Sequence, residues 1–291
     1  MRPILRPGTH VLRRGRGELQ VGLDPGSALV LPDSAAVRES LRLLGASADV
    51  ASYAETGVVD LLADHRLLLD ERELTPLLSP THGPPAATAA LARAAGDTTS
   101  QVRTARGRSS VQVRGFGHPA GEALPEQAVA LLETAGLGEQ PARRGHLRCA
   151  LLVGVGEPDR EHSDDWLRAG TPHLPVRLTE GRAVVGPLVV PGVTACLRCV
   201  DAHCTDADPA WPLLVRQYAT ASARDRGDGV PEPLDPLLAT LALAWAVRDL
   251  ATFVDGGRPT SWSATVTLHP EPGHLETRSW LRHPACPCTW D

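Results

Sequence analysis

Two close cysteine pairs, Cys196/Cys199 and Cys286/Cys288, constrain this 291-residue chain more than any other feature. The first pair follows a Pro-Gly turn in the run "GPLVVPGVTACLRC", Gly186 to Cys199; the second sits in the terminal "HPACPCTWD". Whatever joins them staples the C-terminal tail to the middle of the chain. Disulfides are seldom kept in a cytosolic protein. A thioredoxin-like dithiol would put CxxC directly after a strand at a helix start, whereas here a Pro-Gly loop precedes it and a second pair answers it. Two pairs supply four thiolates, the complete tetrahedral shell of a structural zinc, with no position left open for catalysis. Either His283 or Cys204 could stand in for one ligand, and free buried thiols or a redox pair are the competing readings. Cys149, inside the apolar run "LRCALLVGVG", reads as a small core residue.

The rest of the composition narrows the class. With 42% hydrophobic residues the chain can bury a core, and a formal net charge of −5 offers no electrostatic footprint for nucleic acid. The longest apolar run, Pro236 to Val247, is flanked by Asp235 and Arg248 and is shorter than a bilayer span. The N-terminal "MRPILRPGTH" has no hydrophobic signal core, so a soluble cytoplasmic protein is expected, without membrane partners. Every basic residue is arginine; chemistry that needs a lysine loses weight.

Three regions follow one another. Over residues 1–78, "HVLRRGRGELQVGL" predicts two strands around a Gly-Arg-Gly turn and "ALVLPD" a third. Asp33 or Ser34 caps a helix with Val37, Leu41 and Leu44 on one face, and Val58, Leu61 and Leu62 mark a second helix before a strand at "RLLLD". This is a small winged-helix-like α+β lobe. Residues 79–105, rich in Pro, Gly and Ala at the start, read as a linker with one short helical turn. Over 106–291, strand "SVQVRGFG", helix "EALPEQAVALLETAG" and strand "LRCALLVGVG" make a βαβ unit and predict a mostly parallel sheet. "DDWLRAG" is a short helix, "HLPVRL", "AVVGPLVV" and "WSATVTLH" are strands, and "LDPLLATLALAWAVRDLATFV" is a central helix apolar nearly all round.

The Gly turn, the parallel sheet, "GPLVVPGVTACLRC", "CVDAHCTDADPAWPLL" and the terminal "HPACPC" together resemble the ThiF/MoeB-type adenylate-forming proteins, within them the ThiF-like cyclodehydratase-partner proteins that bind precursor leader peptides in thiazole/oxazole-modified peptide clusters. The resemblance implies a Rossmann-type α/β domain, 106–291, in which Cys196, Cys199, Cys286 and Cys288 bind zinc. It implies that the N-terminal lobe grips a leader peptide as an added strand, that a YcaO-type enzyme is a partner, and that a homodimer is possible.

Adenylate formation needs further parts. "GFGHPAG" keeps Gly115, Gly117 and Gly121, a degenerate nucleotide loop that a tight strand-to-helix turn explains as well. The segment "GLGEQPARRGHLR" is too short for the usual second strand and its ribose-binding acidic residue. Glu157, Asp159 and Asp164 could imitate a magnesium aspartate but read as a solvated loop, and Arg106, Arg108 and Arg114 could attract an anion only weakly. Ser109 and Ser110 lack a nucleophile-elbow context, and His162 and His173 read as surface histidines. The expected function is therefore a non-catalytic scaffold for a precursor peptide or partner enzyme, with structural zinc and no ATP. An ATP-dependent activating enzyme and a zinc-stabilised subunit without a peptide site are the alternatives.

Overall fold

The three-stranded meander foreshadowed by the Gly-Arg-Gly turn forms the first layer. The computed structural model describes residues 2–45, 57–79, 84–138, 147–271 and 273–289, and the chain divides into two compact units, Met1–Thr104 and Ala105–Asp291. The first unit holds β1 (Pro3–Leu5), β2 (Val11–Gly15), β3 (Glu18–Val21), β4 (Leu29–Pro32), α1 (Ala35–Gly45), α2 (Val58–Asp64), β5 (Leu68–Asp70), the single turn α3 (Glu71–Leu74), α4 (Pro85–Ala95) and α5 (Thr99–Gly107), which runs across the division. Strands β2, β3 and β4 pair antiparallel in that order. Arg16 (φ 55) and Gly17 (φ 76) close the first hairpin in the left-handed region that a tight hairpin requires. One face of this sheet buries Leu19, Val21 and Leu31 with Val37, Leu41 and Leu44 of α1 and Val58, Val59 and Leu62 of α2. Ser34 Oγ caps α1 by accepting the Val37 N–H at 3.2 Å.

Strand β1 pairs with β5, Leu5 opposite Leu68 and Ile4 opposite Leu69. The period of two divides these side chains: Leu5 and Leu68 join the sheet core, while Ile4 and Leu69 meet Leu74 and Ala92 in a smaller one. The expected linker 79–105 is largely helical where it is described, as α4 and α5. Its Ala-rich composition hides the apolar stripe, but the start and stop are chemical: Pro85 occupies the first helical turn, and Gly96, at φ 61, ends α4.

The second unit runs β6 (Ser109–Gly117), α6 (Leu124–Thr134), β7 (Leu147–Val155), α7 (Glu161–Arg168), β8 (His173–Thr179), β9 (Arg182–Val185), α8 (Leu197–Ala207), α9 (Trp211–Ala221), α10 (Pro236–Val254), β10 (Ala264–Leu268) and β11 (Leu275–Ser279). The sheet order is β11-β10-β9-β8-β7-β6. It is mixed. Strands β6, β7 and β8 are parallel, as the βαβ reading expects, but β9, β10 and β11 each pair antiparallel with their neighbours. The reversal begins at Glu180 (φ 51) and Gly181 (φ 72), a two-residue turn between the paired Thr179 and Arg182.

The apolar run of β7 is covered on both faces. Cys149, Leu151, Val153 and Val155 enter the main core, which also includes Leu124, Ala128 and Leu132 of α6 and Leu243, Ala246 and Leu250 of α10. Ala150 and Leu152 meet Trp166 of α7 and Phe116 in a second cluster. Helix α10 has 19 residues and is long and apolar enough to cross a membrane, more than the sequence run suggested. Ten of its residues, Leu238 through Val254, are buried in this unit, so it serves as a core helix. It is not apolar-covered all round: Leu237 and Leu241 are exposed. Thr265 of β10 is buried and accepts the Trp280 indole N–H at 3.0 Å.

Candidate metal centre and adjoining cleft

The Pro-Gly turn is built to deliver a cysteine to a helix start. Thr194 Oγ1 donates to the Leu188 carbonyl (2.8 Å) and accepts the Val190 N–H (2.7 Å), closing the loop on itself. The Ala195 N–H donates to Ser263 Oγ at 3.1 Å. Cys196 then occupies the N-cap of α8, and Cys199 lies one turn in. At the other end the Cys286 N–H bonds the His283 carbonyl at 2.9 Å, folding the tail into a tight turn. Arg282 ties the two loops together, donating to the Gly192 and Cys288 carbonyls, each at 2.7 Å.

The structure brings together all four cysteines that the sequence singled out. Their Sγ atoms lie within 4.8 Å of one another, with Cys196–Cys199 at 3.8 Å, Cys196–Cys286 at 3.7 Å and Cys199–Cys288 at 3.3 Å. A disulfide needs about 2.05 Å. Metal–sulfur bonds of about 2.3 Å place the corners of a tetrahedron about 3.8 Å apart, so the cluster fits a four-coordinate metal ion. The Cys196 thiol hydrogen bonds to Cys199 and holds that thiol well below its ordinary value, down to about 4.

The two substitute ligands stand outside the group of four sulfurs. His283 uses Nδ1 to accept the Ala285 N–H (3.2 Å) and Nε2 to meet Asp206 (2.9 Å), with the His203 ring edge-on at 4.8 Å. Cys204 is half-buried beside the cluster, and burial pushes its thiol up. Cys149 is a core residue, its thiol pushed up to about 12 by burial. His173 is buried rather than at the surface; burial lowers its pKa to about 4 and it packs 5.5 Å from the Trp166 ring. Ser109 donates to the Arg106 carbonyl at 2.7 Å.

The glycine turn between β6 and α6 has a packing explanation. A Cβ on Gly121 would stand 2.9 Å from Val155 Cγ2, and one on Gly115 would meet Pro125 at 3.0 Å. The turn's amides are taken internally: His118 N–H by the Val155 carbonyl, Ala120 N–H by His118 Nδ1, Gly121 N–H by the His118 carbonyl and Glu122 N–H by the Pro119 carbonyl. Pro119 has no N–H to offer. Strand β6 is a sheet edge among the described residues. Most of the "GLGEQPARRGHLR" segment lies outside them.

Sequence reasoning missed an ion-pair network. Glu157 and Asp164 are not in a solvated loop. Arg160 forks onto Asp201 (2.6 and 2.8 Å) and reaches Glu157 at 2.9 Å; Arg177 meets the other Glu157 oxygen at 2.7 Å; and the Trp211 indole donates to Asp201 at 3.0 Å. Burial alone would raise the Asp201 carboxyl, but Arg160 and Trp211 hold it below its ordinary value. Burial likewise opposes the Arg160 charge, yet Asp201 and Glu157 raise its pKa. Asp164 pairs with Arg198 at 2.8 Å, and Asp159 accepts the Glu161 N–H at 3.0 Å. Arg106 pairs with Asp255 at 2.6 Å, and Arg114 donates to the His162 carbonyl and lies 4.5 Å over the Trp166 ring. Only an invariant pairing of distant charges could have signalled this, and spacing along one chain carries no such information. Glu157, Arg160, Asp164, Arg198 and Asp201 line a cleft of about 1410 Å³ that also touches Gly117, Arg216 and the Ala285–Cys288 tail.

No protein-family model matches the sequence, and no curated protein matches it. Solved structures do. The heterocyclase TruD superposes with a TM-score of 0.70 at 17% identity, covering 99% of this chain and 42% of that one. E. coli MccB with AMPCPP and MccA gives 0.58 at 13% identity, covering 99% of both chains. The microcin C7 biosynthetic enzyme MccB in complex with N-formylated MccA gives 0.63 at 14% identity, covering 99% of this chain and all of that one. The chain spans less than half the length of the heterocyclase chain. What is shared at such identities is architecture: this chain has the fold of MccB and of a part of the heterocyclase TruD.

Proposed function

We propose that the chain is a non-catalytic ThiF-like scaffold that binds a precursor peptide on its first unit, a winged-helix-like lobe over about residues 1–78, and presents it to a YcaO-type enzyme in azoline-forming peptide modification. One observation carries the reading: a strand edge left unpaired among the described residues of the first unit is joined to a ThiF-like unit whose glycine turn has its amides already occupied. Edge β2 is arginine-rich and bulged between Arg13 and Gly15, features that discourage strand addition. Edge β4 pairs regularly with β3 and exposes Val30. A peptide laid along β4 would gain main-chain hydrogen bonds there and apolar contact at Val30.

The cysteine cluster holds one structural zinc in this reading; Cys196, Cys199, Cys286 and Cys288 close its shell and leave it no catalytic position. Reduced thiolates of this kind suit the cytoplasm. Solved relatives lend support: heterocyclase structures include one "in complex with substrate and cofactor", and MccB has been solved with MccA. The test is binding of a fluorescent precursor peptide, alone and with its YcaO-type enzyme, together with ATP–pyrophosphate exchange. Saturable peptide binding without exchange is expected; exchange by this chain alone would replace the scaffold with an activating enzyme.

A further inference from the structure

Strand β11 ends the six-stranded sheet among the described residues, and every residue from Leu275 to Ser279 is exposed. In an antiparallel ladder, residues that exchange hydrogen bonds with the neighbouring strand alternate with residues whose N–H and C=O point away from it. The Trp280 N–H bonds the Ser263 carbonyl at 2.7 Å, and the His269 N–H bonds the His274 carbonyl at 3.2 Å. Both bonds continue the register in which Ala264 faces Ser279 and Leu268 faces Leu275. His274, Glu276, Arg278 and Trp280 therefore turn their main-chain groups toward β10. Leu275, Thr277 and Ser279 turn theirs to the open edge.

An open edge is a template for another strand, and the charges on this one select which. Only the odd-numbered residues offer edge groups, so an antiparallel copy of β11 docks with odd residues opposite odd ones. Centred on Glu276, such a pairing sets Glu276 against itself; centred on Arg278, it sets Arg278 against itself. Like charges directly opposite are destabilising. Centred on Thr277, it sets Glu276 of each copy opposite Arg278 of the other, at the non-hydrogen-bonded positions where facing side chains come closest. Thr277 then exchanges both main-chain bonds with its own copy, and Leu275 does so with Ser279. Among the described residues, no arginine pairs with Glu276 and no carboxylate with Arg278. Glu276 Oε1 stands 3.4 Å from His274 Nε2 and 3.6 Å from His269 Nε2, outside the usual hydrogen-bond range of about 2.7–3.2 Å, and Arg278 lies 4.0 Å over the Trp280 ring. We infer that β11 is a self-association edge: a second copy of this chain docks on it about Thr277, joining the two sheets across a two-fold axis. One short strand a side is a small contact, so the dimer is weak and reversible, and salt loosens it. It concerns the second unit alone and stands whether or not a peptide binds the first.

Sedimentation equilibrium on the full chain reads the association. Wild type should dimerise reversibly as concentration rises, and added salt should shift it toward monomer. T277P removes a main-chain donor that β10 does not use, so the hairpin stays intact while self-association falls at least tenfold. E276R and R278E, each alone, set like charges opposite one another and should each weaken self-association at least tenfold. Mixed in equal amounts, these two variants should associate at least tenfold more tightly than either does with itself, because every arginine then faces a carboxylate. Unfolded chains cannot give that rescue, and neither can a dimer built on another surface. A wild type that stays monomeric to about 1 mM, a T277P chain that dimerises as tightly as wild type, or a mixture without rescue would each overturn the inference.

Discussion

Gly117 and the Val155 carbonyl approach so closely that a Cβ on Gly117 would stand 1.9 Å from that oxygen. Gly117 also sits at φ 82, in the left-handed region. The two constraints are independent: the close approach comes from the β6–β7 contact, the positive φ from the turn that leaves β6. Gly117→Ala should therefore destabilise the protein by at least about 2 kcal/mol, through overpacking and backbone strain. Denaturant titration checks this; an unchanged midpoint would return the glycine to a ligand-binding role. Loss of any activity in a bulkier Gly117 variant would report unfolding first.

Metal content should depend on the four cysteines and on no other residue nearby. Elemental analysis of purified protein should find about one tightly held zinc per chain, and Cys286→Ser should lose it. Cys204→Ser and His283→Ala should keep it, because His283 is engaged with Ala285 and Asp206. Loss of zinc in either control would put a different ligand in the shell.

The Arg160–Asp201 pair should be costly to break from one side. Its side chains are 12% and 17% exposed, so Asp201→Ala leaves the Arg160 cation out of water with Glu157 as its remaining ion-pair partner. A loss of about 2–3 kcal/mol is expected, below that of a wholly unpaired buried charge, against a much smaller effect when the exposed Arg168–Asp165 pair is cut. Thermal melts of the two variants make the comparison; equal effects would show that the network is well solvated.

The pH dependence follows in sign. The Asp201 carboxyl lies below its ordinary value in the folded chain. Its stabilisation is fully present above the ordinary carboxylate pKa of about 3.9 and fades as pH falls through the lowered folded value. Wild type should therefore lose stability on acidification below about pH 4, and Asp201→Asn should show a flatter acid limb. Parallel acid limbs would mean that the pair contributes nothing specific.

Peptide binding, if it uses the β4 edge, should be sensitive at Val30 and insensitive on β2. Val30→Asp should weaken precursor peptide binding at least tenfold by fluorescence polarisation. Arg13→Ala should change it little. Val30 is 40% exposed, so stability should stay within about 0.5 kcal/mol. The reverse pattern would place the peptide on the other edge.

Much of this was legible in the residues. The meander, α1 with its Ser34 cap, the βαβ unit and α10 follow from periods of two and 3.6, from turn glycines and from caps, all of which act within a few residues. The cysteine set could be read as well, because thiolates in close pairs have few other uses. Helices α4 and α5 were harder: alanine carries little amphipathic signal, and Pro85 looked like a breaker although it stands in the first helical turn.

What the sequence by itself determined, then, was the local geometry and the donor chemistry: which segments are strands or helices, and which side chains can hold a metal. Only the tertiary structure decided which distant groups meet. It set Asp201 against Arg160, gathered four sulfurs within 4.8 Å of one another, and turned the sheet antiparallel beyond β8. It also filled the glycine turn's donors from within. The physical reason is range. Backbone propensity and capping fall off within a turn or two of chain, whereas ion pairs, thiolate clusters and strand order depend on how whole elements pack, and spacing in one chain does not encode that packing.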